Sequence, residues 1–411
     1  MSEVTQDGVV RKWPEFQARK KTCPEYNLHD SGQVAAMRAV AINLQSWEEE
    51  NGVSSITSAD KRLIKEIVEE QIEEHMGNAG KNCLQNKKEI LPPFIIIACK
   101  DEAKSVTSSF TRQLRQITVL LKSAVTFTSE TLWFIVLTNS VDVFNQIKSI
   151  PSKWPDNYKS RLQFESGNVW YPSDREEMKT YFRPCSSARL FLPQSLRDID
   201  AAVLVDTDTI FLRPPEDLLR EIYRFNESQA VGMVQTSKDY VGKKIPFPKP
   251  NGANTGVMVM NLTRLRALPE GWTNVTLKAF DKYRKRLSAF KTNDIVNIAV
   301  GQNPEIYYNL DCVWNYNTGS CIGSKNIFPK AETSGVYLLH GTNGVFTRRR
   351  CIEFRSVFDA WENYQLGSSL SELLEDIKDK LKSKGRHQIT CRKMPSLDIM
   401  FTKSLQIMLE K

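Results

Sequence analysis

The chain has 411 residues, a length that at roughly 150 residues per domain allows two to three domains. It is 41% hydrophobic and 25% charged, with 19 glycines and 18 prolines, which excludes a collagen, a low-complexity polymer and a wholly disordered chain. The formal net charge of +8 is mild and spread along the chain, so no nucleic-acid partner is expected.

Residues 1–91 read as an N-terminal extension, stem-like or partly disordered. The opening MSEVTQDGVVRKWPEF lacks a basic start running into an apolar stretch, so no signal peptide is expected. From Ser58 the segment places Leu63, Ile64, Ile67, Val68 and Ile72 at helical spacing, which predicts one amphipathic helix. The longest apolar runs, Phe94–Cys99 and Ala201–Val205, fall far short of the roughly 18–20 residues that cross a bilayer. No membrane anchor is expected within this chain. That leaves a soluble cytosolic protein, or a lumenal one whose anchor lies outside the chain.

At Pro92-Pro93 the character changes, and residues 92–366 read as one catalytic domain. Phe94–Ala98 is a continuous, β-branched-rich run, as expected for a strand buried on both faces. Thr111–Phe127 places Leu114, Ile117, Leu120, Leu121 and Ala124 on one helical face. A second buried strand, Trp133–Thr138, and a second helix, Val141–Ile147, follow. Strand, helix, strand, helix in that order is the form of right-handed βαβ units in a parallel sheet. A helix is expected over Arg183–Leu192, strands at Ala201–Val205, Ala230–Val234 and Thr255–Met260, a helix from Thr292 to Val300, and a late strand at Val336–Leu339. The fold class is α/β. Residues 367–411 read as a helical, lysine-rich appendage ending in a mixed segment from Ile389 to Lys411.

The eight cysteines form no CxxC pair, which argues against a structural zinc site of the usual spacing. Cys312 and Cys321 bracket a short polar turn. They could close a loop, or both could be reduced thiols.

The strongest chemical signal is Ala201-Ala-Val-Leu-Val-Asp206-Thr207-Asp208. A buried strand ends directly in Asp-x-Asp, and side chains i and i+2 of an extended chain point the same way. Ligands of open α/β sheets bind beyond the carboxyl ends of the strands. Two carboxylates there suit a divalent ion carrying phosphate. A polar turn after a strand has the same local sequence; the apolar strand before it and Phe-Leu-Arg-Pro-Pro after it favour the ion. His340 is the second signal. Of the four histidines it alone follows a clear apolar strand, and its imidazole would serve as a third ligand for Mn²⁺. A hydrogen-bonded histidine at a strand end is the alternative.

Asp206-Thr-Asp208, Asn254-Thr-Gly256-Val-Met-Val-Met-Asn261 and Leu339-His340-Gly341 occur in the order found in glycosyltransferase family 8. Phe182-Arg-Pro-Cys-Ser-Ser-Ala-Arg189-Leu-Phe-Leu-Pro193 and Asp311-Cys-Val-Trp-Asn315-Tyr316, with Cys321 after it, resemble the glucoside xylosyltransferases of that family. The resemblance covers roughly residues 93–360. It implies a GT-A nucleotide-diphospho-sugar transferase fold, a mixed, mostly parallel sheet flanked by helices. It implies UDP-xylose as donor and Mn²⁺ held by Asp206, Asp208 and His340. The product would be an α-1,3-xylosyl group on glucose O-linked to EGF-like repeats, with the anomeric configuration retained. By the same resemblance Ala98 and Asp101 cradle the uridine, Arg189 and Thr207 lie near the donor, Asn254 and Gly256 stand beside the donor sugar, and Gly341 follows the metal histidine. It also implies the lumen of the secretory pathway, in a Golgi or endoplasmic reticulum membrane.

Two departures stand out. The family more often has Asp-Gln-Asp where this chain has Thr292-Asn293-Asp294. Asn293 and Asp294 are the catalytic candidates, on the sugar and acceptor side. Threonine at 292 supplies no carboxylate nucleophile for a double displacement, so same-face displacement is expected. After His340 the family's loop arginine is missing, and Arg348–Arg350 stand a few residues later. They could reach a diphosphate, or be a solvated charge run. These departures leave two rivals, the same fold with another UDP-hexose donor and a non-catalytic UDP-sugar-binding protein. Asn226, Asn261 and Asn274 fit the N-glycosylation pattern; Asn261 is expected to be structural.

Overall fold

Strand β1 (Phe94–Ile97) pairs in parallel with β2 (Leu132–Thr138) on one side and with β4 (Ala201–Val205) on the other. With β3 (Leu162–Asn168), β6 (Val231–Gln235), β7 (Ala253–Asn261) and β8 (Tyr307–Leu310), these strands form a seven-stranded sheet of order β3-β2-β1-β4-β7-β6-β8 in the computed structural model. The structure describes residues 91–410 apart from 101–106, 183–184, 238–239, 287–289, 323–324, 348–350 and 384–396. The expected N-terminal helix, Asp101 and Arg348–Arg350 therefore lie outside the described residues. β3 is parallel to β2, β6 is parallel to β8, and only β7 runs antiparallel to both its neighbours.

The two-sided burial of the central strands explains their unbroken apolar sequences. Along β1, Phe94 and Ile96 enter one core while Ile95 enters the other. Along β4, Val203 and Val205 face the first core while Ala202 and Leu204 face the second. Helix α1 (Thr107–Phe127) lays Ile117, Leu120, Leu121 and Ala124 on the first core, as its 3.6-residue spacing predicts. Helix α2 (Val141–Ser149) buries Val143 and Ile147 on the same side. The opposite face is covered by α3 (Trp272–Tyr283), through Trp272 and Phe280, and by α4 (Thr292–Gln302), through Ile295, Val296 and Ile298.

The expected strands at 94–98, 133–138, 201–205, 230–234 and 255–260 are all present within two residues. The helix expected over 183–192 is not. Cys185 takes a left-handed conformation (φ 57°), a 3₁₀ turn spans Ser186–Phe191, and a four-residue helix follows at Leu192–Ser195. Pro193 lies in the first turn of that short helix, where its missing N–H has no intrahelical partner to lose. After a small antiparallel pair, β9 (Cys321–Ile322) and β10 (Lys325–Asn326), the late strand is β11 (Leu338–His340); it starts two residues later than expected, and the Val336 N–H is taken by the Met400 carbonyl at 2.9 Å. Cys312 and Cys321 do not pair: Cys312 keeps a free thiol, whereas Cys321 belongs to a disulfide. Asn261 caps a short helix by accepting the Arg264 N–H, as expected of a structural residue.

Within 367–411 the described residues form α6 (Leu370–Ser383) and α7 (Leu397–Leu409), which follow α5 (Ile352–Asn363). Leu373, Leu374, Ile377, Met400, Phe401 and Leu405 enter the same core as β1. The segment of Ile389–Lys411 that the structure describes is helical. No helix among the described residues is long and apolar enough to cross a membrane.

Candidate active site

The chain leaves β1 towards β2 and β3, then returns across the sheet to β4 on the other side of β1. The carboxyl ends of β1 and β4 therefore flank a topological switch point, where open α/β sheets bind ligands. Ala98 follows β1 directly, fully buried, its N–H bonded to the Leu137 carbonyl at 3.0 Å. Asp206, Thr207 and Asp208 follow β4 directly, all half-buried.

Two ladders bring the rest of the site to this edge. Beyond the β4–β7 pairing, the Asp206 N–H donates to the Gly256 carbonyl at 2.7 Å, which puts Asn254–Gly256 alongside the Asp-x-Asp turn. The short strand β5 (Thr209–Phe211) pairs antiparallel with β11 in the register His340 to Thr209. The Gly341 N–H continues that ladder to the Asp208 carbonyl at 2.7 Å. The Thr209 hydroxyl closes the turn by donating to the Asp206 carbonyl at 2.9 Å. The pairing register thus carries His340 next to Asp208 across 132 residues of sequence.

The three predicted ligands converge. One oxygen or ring nitrogen from each of Asp206, Asp208 and His340 lies within 4.8 Å of the others. His340 Nε2 is 3.6 Å from an Asp206 oxygen and 3.5 Å from an Asp208 oxygen. His340 is only 2% exposed. Burial by itself would lower its basicity, but the carboxylates of Asp206 and Asp208 outweigh burial and raise it to about 9. Burial likewise disfavours an ionised Asp206. The Arg189 guanidinium and His340 overcome that and hold its carboxyl below the usual range.

Arg189, in the 3₁₀ turn, donates to Asp206 at 2.8 Å and to both the carbonyl and the hydroxyl of Thr255 at 3.0 Å. Its fork therefore ties the Asp206 carboxylate to β7. The turn itself is anchored by the Cys99–Cys185 disulfide, which joins the residue after Ala98 to the residue before the turn. Gly256 is packed under the imidazole: a Cβ there would overlap His340 Cε1 and lie 2.6 Å from Nδ1 and 2.8 Å from Nε2.

The two catalytic candidates sit at the start of α4. Asn293 accepts the Thr255 N–H at 2.9 Å and donates to the Tyr240 hydroxyl, so it borders the Arg189–Thr255 contact. Asp294 is 4% exposed. One of its oxygens accepts the Lys291 N–H at 2.8 Å, as a helix cap, and the other pairs with Lys243 at 3.2 Å. The Asp294 carboxylate is thus already committed to two local partners.

Sequence reasoning missed Asn315, Asn297 and Thr255 as site residues. Asn315 turns its Oδ1 acceptor to His340 Nδ1 at 2.8 Å. Asn297 clamps α4 to β7 through both the N–H (2.7 Å) and the carbonyl (2.8 Å) of Ala253. The signal that could have marked Asn315 was its place in the Cys-Val-Trp-Asn-Tyr stretch. Thr255 was marked only by its place in the Asn254-Thr-Gly256 stretch, and the contacts that Asn297 and Thr255 make depend on pairing across the fold.

The family model for glycosyl transferase family 8 matches residues 85–340. Glucoside xylosyltransferase 1 of Danio rerio is 31% identical over 311 residues, covering 70% of this chain and 72% of the relative. Glucoside xylosyltransferase 2 of Mus musculus is 31% identical over 277 residues, covering 63% of this chain and 61% of the relative, so the match spans less than two thirds of that protein. Among solved structures, mouse xyloside xylosyltransferase 1 aligns with a TM-score of 0.45 at 17% identity, covering 62% of this chain and 98% of that one.

Proposed function

The chain belongs to glycosyltransferase family 8, with its GT-A sheet, and from that premise we propose that this enzyme transfers xylose from UDP-xylose, with retention, in α-1,3 linkage to O-linked glucose on EGF-like repeats. The likeness to proteins named glucoside xylosyltransferase supports the donor and acceptor. The observation that carries the reading is the gathering of Asp206, Asp208 and His340 at the sheet's switch point.

The trio fits a divalent cation. It offers two hard carboxylate oxygens and one imidazole nitrogen, a donor set suited to Mn²⁺, on side chains already turned towards one another. Asp206, Asp208 and His340 would hold the ion, and a bound ion would supply Lewis acidity to the departing diphosphate. The other residues act on their own account. Arg189 keeps Asp206 ionised and fixed in direction. Gly256 leaves room for the imidazole. Asn293 holds the Thr255 backbone beside the donor-sugar position. Asp294 remains the candidate for a sugar or acceptor contact, and such a contact requires it to exchange Lys243 for a sugar hydroxyl. By the family resemblance Ala98, Thr207, Asn254 and Gly341 would border the donor. The disulfides at Cys99–Cys185 and Cys321 support an oxidising compartment, the secretory lumen.

The test is donor turnover with Mn²⁺ and a β-glucoside acceptor, comparing UDP-xylose, UDP-glucose and UDP-galactose. Selective xylose transfer abolished by EDTA is the expected result. Transfer from another donor would overturn the sugar assignment. No turnover of any donor, with UDP still bound in a metal-dependent way, would overturn the catalytic reading. Asp294→Asn with full transfer activity would remove Asp294 from the chemistry.

A further inference from the structure

His340 has two ring nitrogens, and only one of them faces Asp206 and Asp208. Nε2 does so, while Nδ1 lies 2.8 Å from Asn315 Oδ1. A neutral imidazole carries its proton on one nitrogen only, so the partner of Nδ1 decides whether Nε2 offers a lone pair. An asparagine side chain by itself leaves that open, since its amide can present either oxygen or nitrogen.

Here the choice is made further back. The Gly256 backbone N–H can only donate, and it donates to Asn254 Oδ1 at 2.8 Å. The same oxygen therefore serves as acceptor for Asn315 Nδ2, 3.1 Å away. With its nitrogen facing Asn254, Asn315 must turn its oxygen to His340. Flipping the Asn315 amide would set two carbonyl oxygens against each other in a site where Asn315 is fully buried, and water could not relieve the conflict. We propose that Asn315 is a positioning residue: the chain Gly256 N–H, Asn254, Asn315, His340 fixes the imidazole as the Nδ1–H tautomer, with the Nε2 lone pair aimed between Asp206 and Asp208.

The polarity of this chain does not depend on a metal, but its use does, so the second half of the inference rests on the divalent-cation reading above. Partners that orient a ligating histidine are typically worth about 10- to 100-fold in metal affinity. Asn315 is the residue placed to do this for His340. Its own backbone is secured by the Asn317 side chain, which donates to the Asn315 carbonyl at 3.1 Å.

The full chain labelled with ¹⁵N-histidine gives a direct readout. In metal-free wild type at alkaline pH, where the ring is neutral, a long-range ¹H–¹⁵N spectrum shows which nitrogen is protonated. The His340 signals are those lost in His340→Gln. A proton on Nδ1 is expected; a proton on Nε2 overturns the proposal. Binding of Mn²⁺ alone, followed by electron paramagnetic resonance, tests the consequence. Asn315→Leu is expected to bind about 10- to 100-fold more weakly. Asn315→Asp, which keeps an acceptor on Nδ1, is expected to recover the tautomer and most of the affinity. A folded Asn315→Leu protein with wild-type Mn²⁺ affinity and an unchanged tautomer would overturn the role of Asn315. If wild type binds no Mn²⁺, the divalent-cation reading fails, and the tautomer measurement still decides the hydrogen-bond chain.

Discussion

Replacing Gly256 with alanine tests the packing of the site with a single added methyl. Gly256 is not in the left-handed region, so the backbone accepts an L side chain without strain. It lies in β7, which is paired on both edges, with β4 and with β6, and the strand cannot retreat. The added Cβ would stand 2.6 Å from His340 Nδ1 and 2.8 Å from Nε2, well inside the ordinary carbon contact of roughly 3.5 Å. Because Cε1 would be overlapped more closely still, the ring would have to move by well over an ångström, enough to break its bond to Asn315.

Overpacking of this kind costs about 1–3 kcal/mol, and the lost hydrogen bond about 0.5–1.5 kcal/mol. Against these stands a gain of about 0.5–1 kcal/mol from removing a glycine inside a strand. The net is a loss of about 2–3 kcal/mol, together with loss of Mn²⁺ binding. In a His340→Ala background the obstacle is gone and only the gain of about 0.5–1 kcal/mol remains. Urea unfolding of the four proteins of this cycle therefore predicts a coupling of about 3 kcal/mol between positions 256 and 340. Equal destabilisation by Gly256→Ala in both backgrounds would refute the reasoning, because the cost would then not come from the imidazole.

Arg189→Ala removes the partner that holds Asp206 ionised and in place; kcat/KM for donor hydrolysis should fall by about 10- to 100-fold, and Arg189→Lys should not restore it, since a lysine cannot reproduce the fork to Asp206 and Thr255. The Cys99–Cys185 bond closes a separation of 86 residues, so the double serine variant should lose about 4–5 kcal/mol of stability by loop entropy, read from urea midpoints of the two oxidised proteins. Burial pushes the Glu221 carboxyl up, although Arg224 and Tyr308 act in its favour. The folded state therefore keeps a proton that the unfolded chain releases, and this contribution to stability is lost as pH rises through the folded value. Glu221→Gln should accordingly gain on wild type at neutral pH, and the difference should shrink below the ordinary carboxylate range; a difference independent of pH would contradict the assignment.

What the sequence discloses and what it withholds follow from where each residue's energy resides. β1 and β4 are legible because burial on both faces demands a continuous apolar run. β3 is half-buried at the sheet edge, with the sequence Leu-Gln-Phe-Glu-Ser-Gly-Asn, and its alternation is too weak to separate from loop. β5 has three residues and exists through its pairing with β11. Asp206, Asp208 and His340 are legible for the same reason as the strands, since a charged or imidazole group directly after a buried run needs a partner. The Asp294 carboxylate shows the converse: its chemistry is visible in the sequence, but its commitment to Lys243, 51 residues away, is not.

The least legible feature is also the one on which the site's chemistry depends most directly. An asparagine at 315 is locally a polar residue in a turn between Trp314 and Tyr316, and nothing in its neighbours says which end of its amide faces the histidine. That polarity is inherited from a backbone N–H in β7, through Asn254, 61 residues back in the chain. Hydrogen-bond direction of this kind is a property of the closed network rather than of any one side chain. Substituting any member alters what the next can accept, so Asn254→Asp and Asn315→Asp need not behave alike although both exchange one amide for one carboxylate. At 254 the carboxylate still offers acceptors to the Gly256 N–H and to Asn315 Nδ2, so the Nδ1–H tautomer of His340 should persist. At 315 the donor to Asn254 is lost while the acceptor for His340 remains, so the tautomer should persist with a weakened tie between β7 and the Cys312–Asn315 turn. A lower urea midpoint in Asn315→Asp than in Asn254→Asp, with Nδ1–H kept in both, is the expected pattern; the reverse order would place the polarity of the chain elsewhere than the Gly256 N–H.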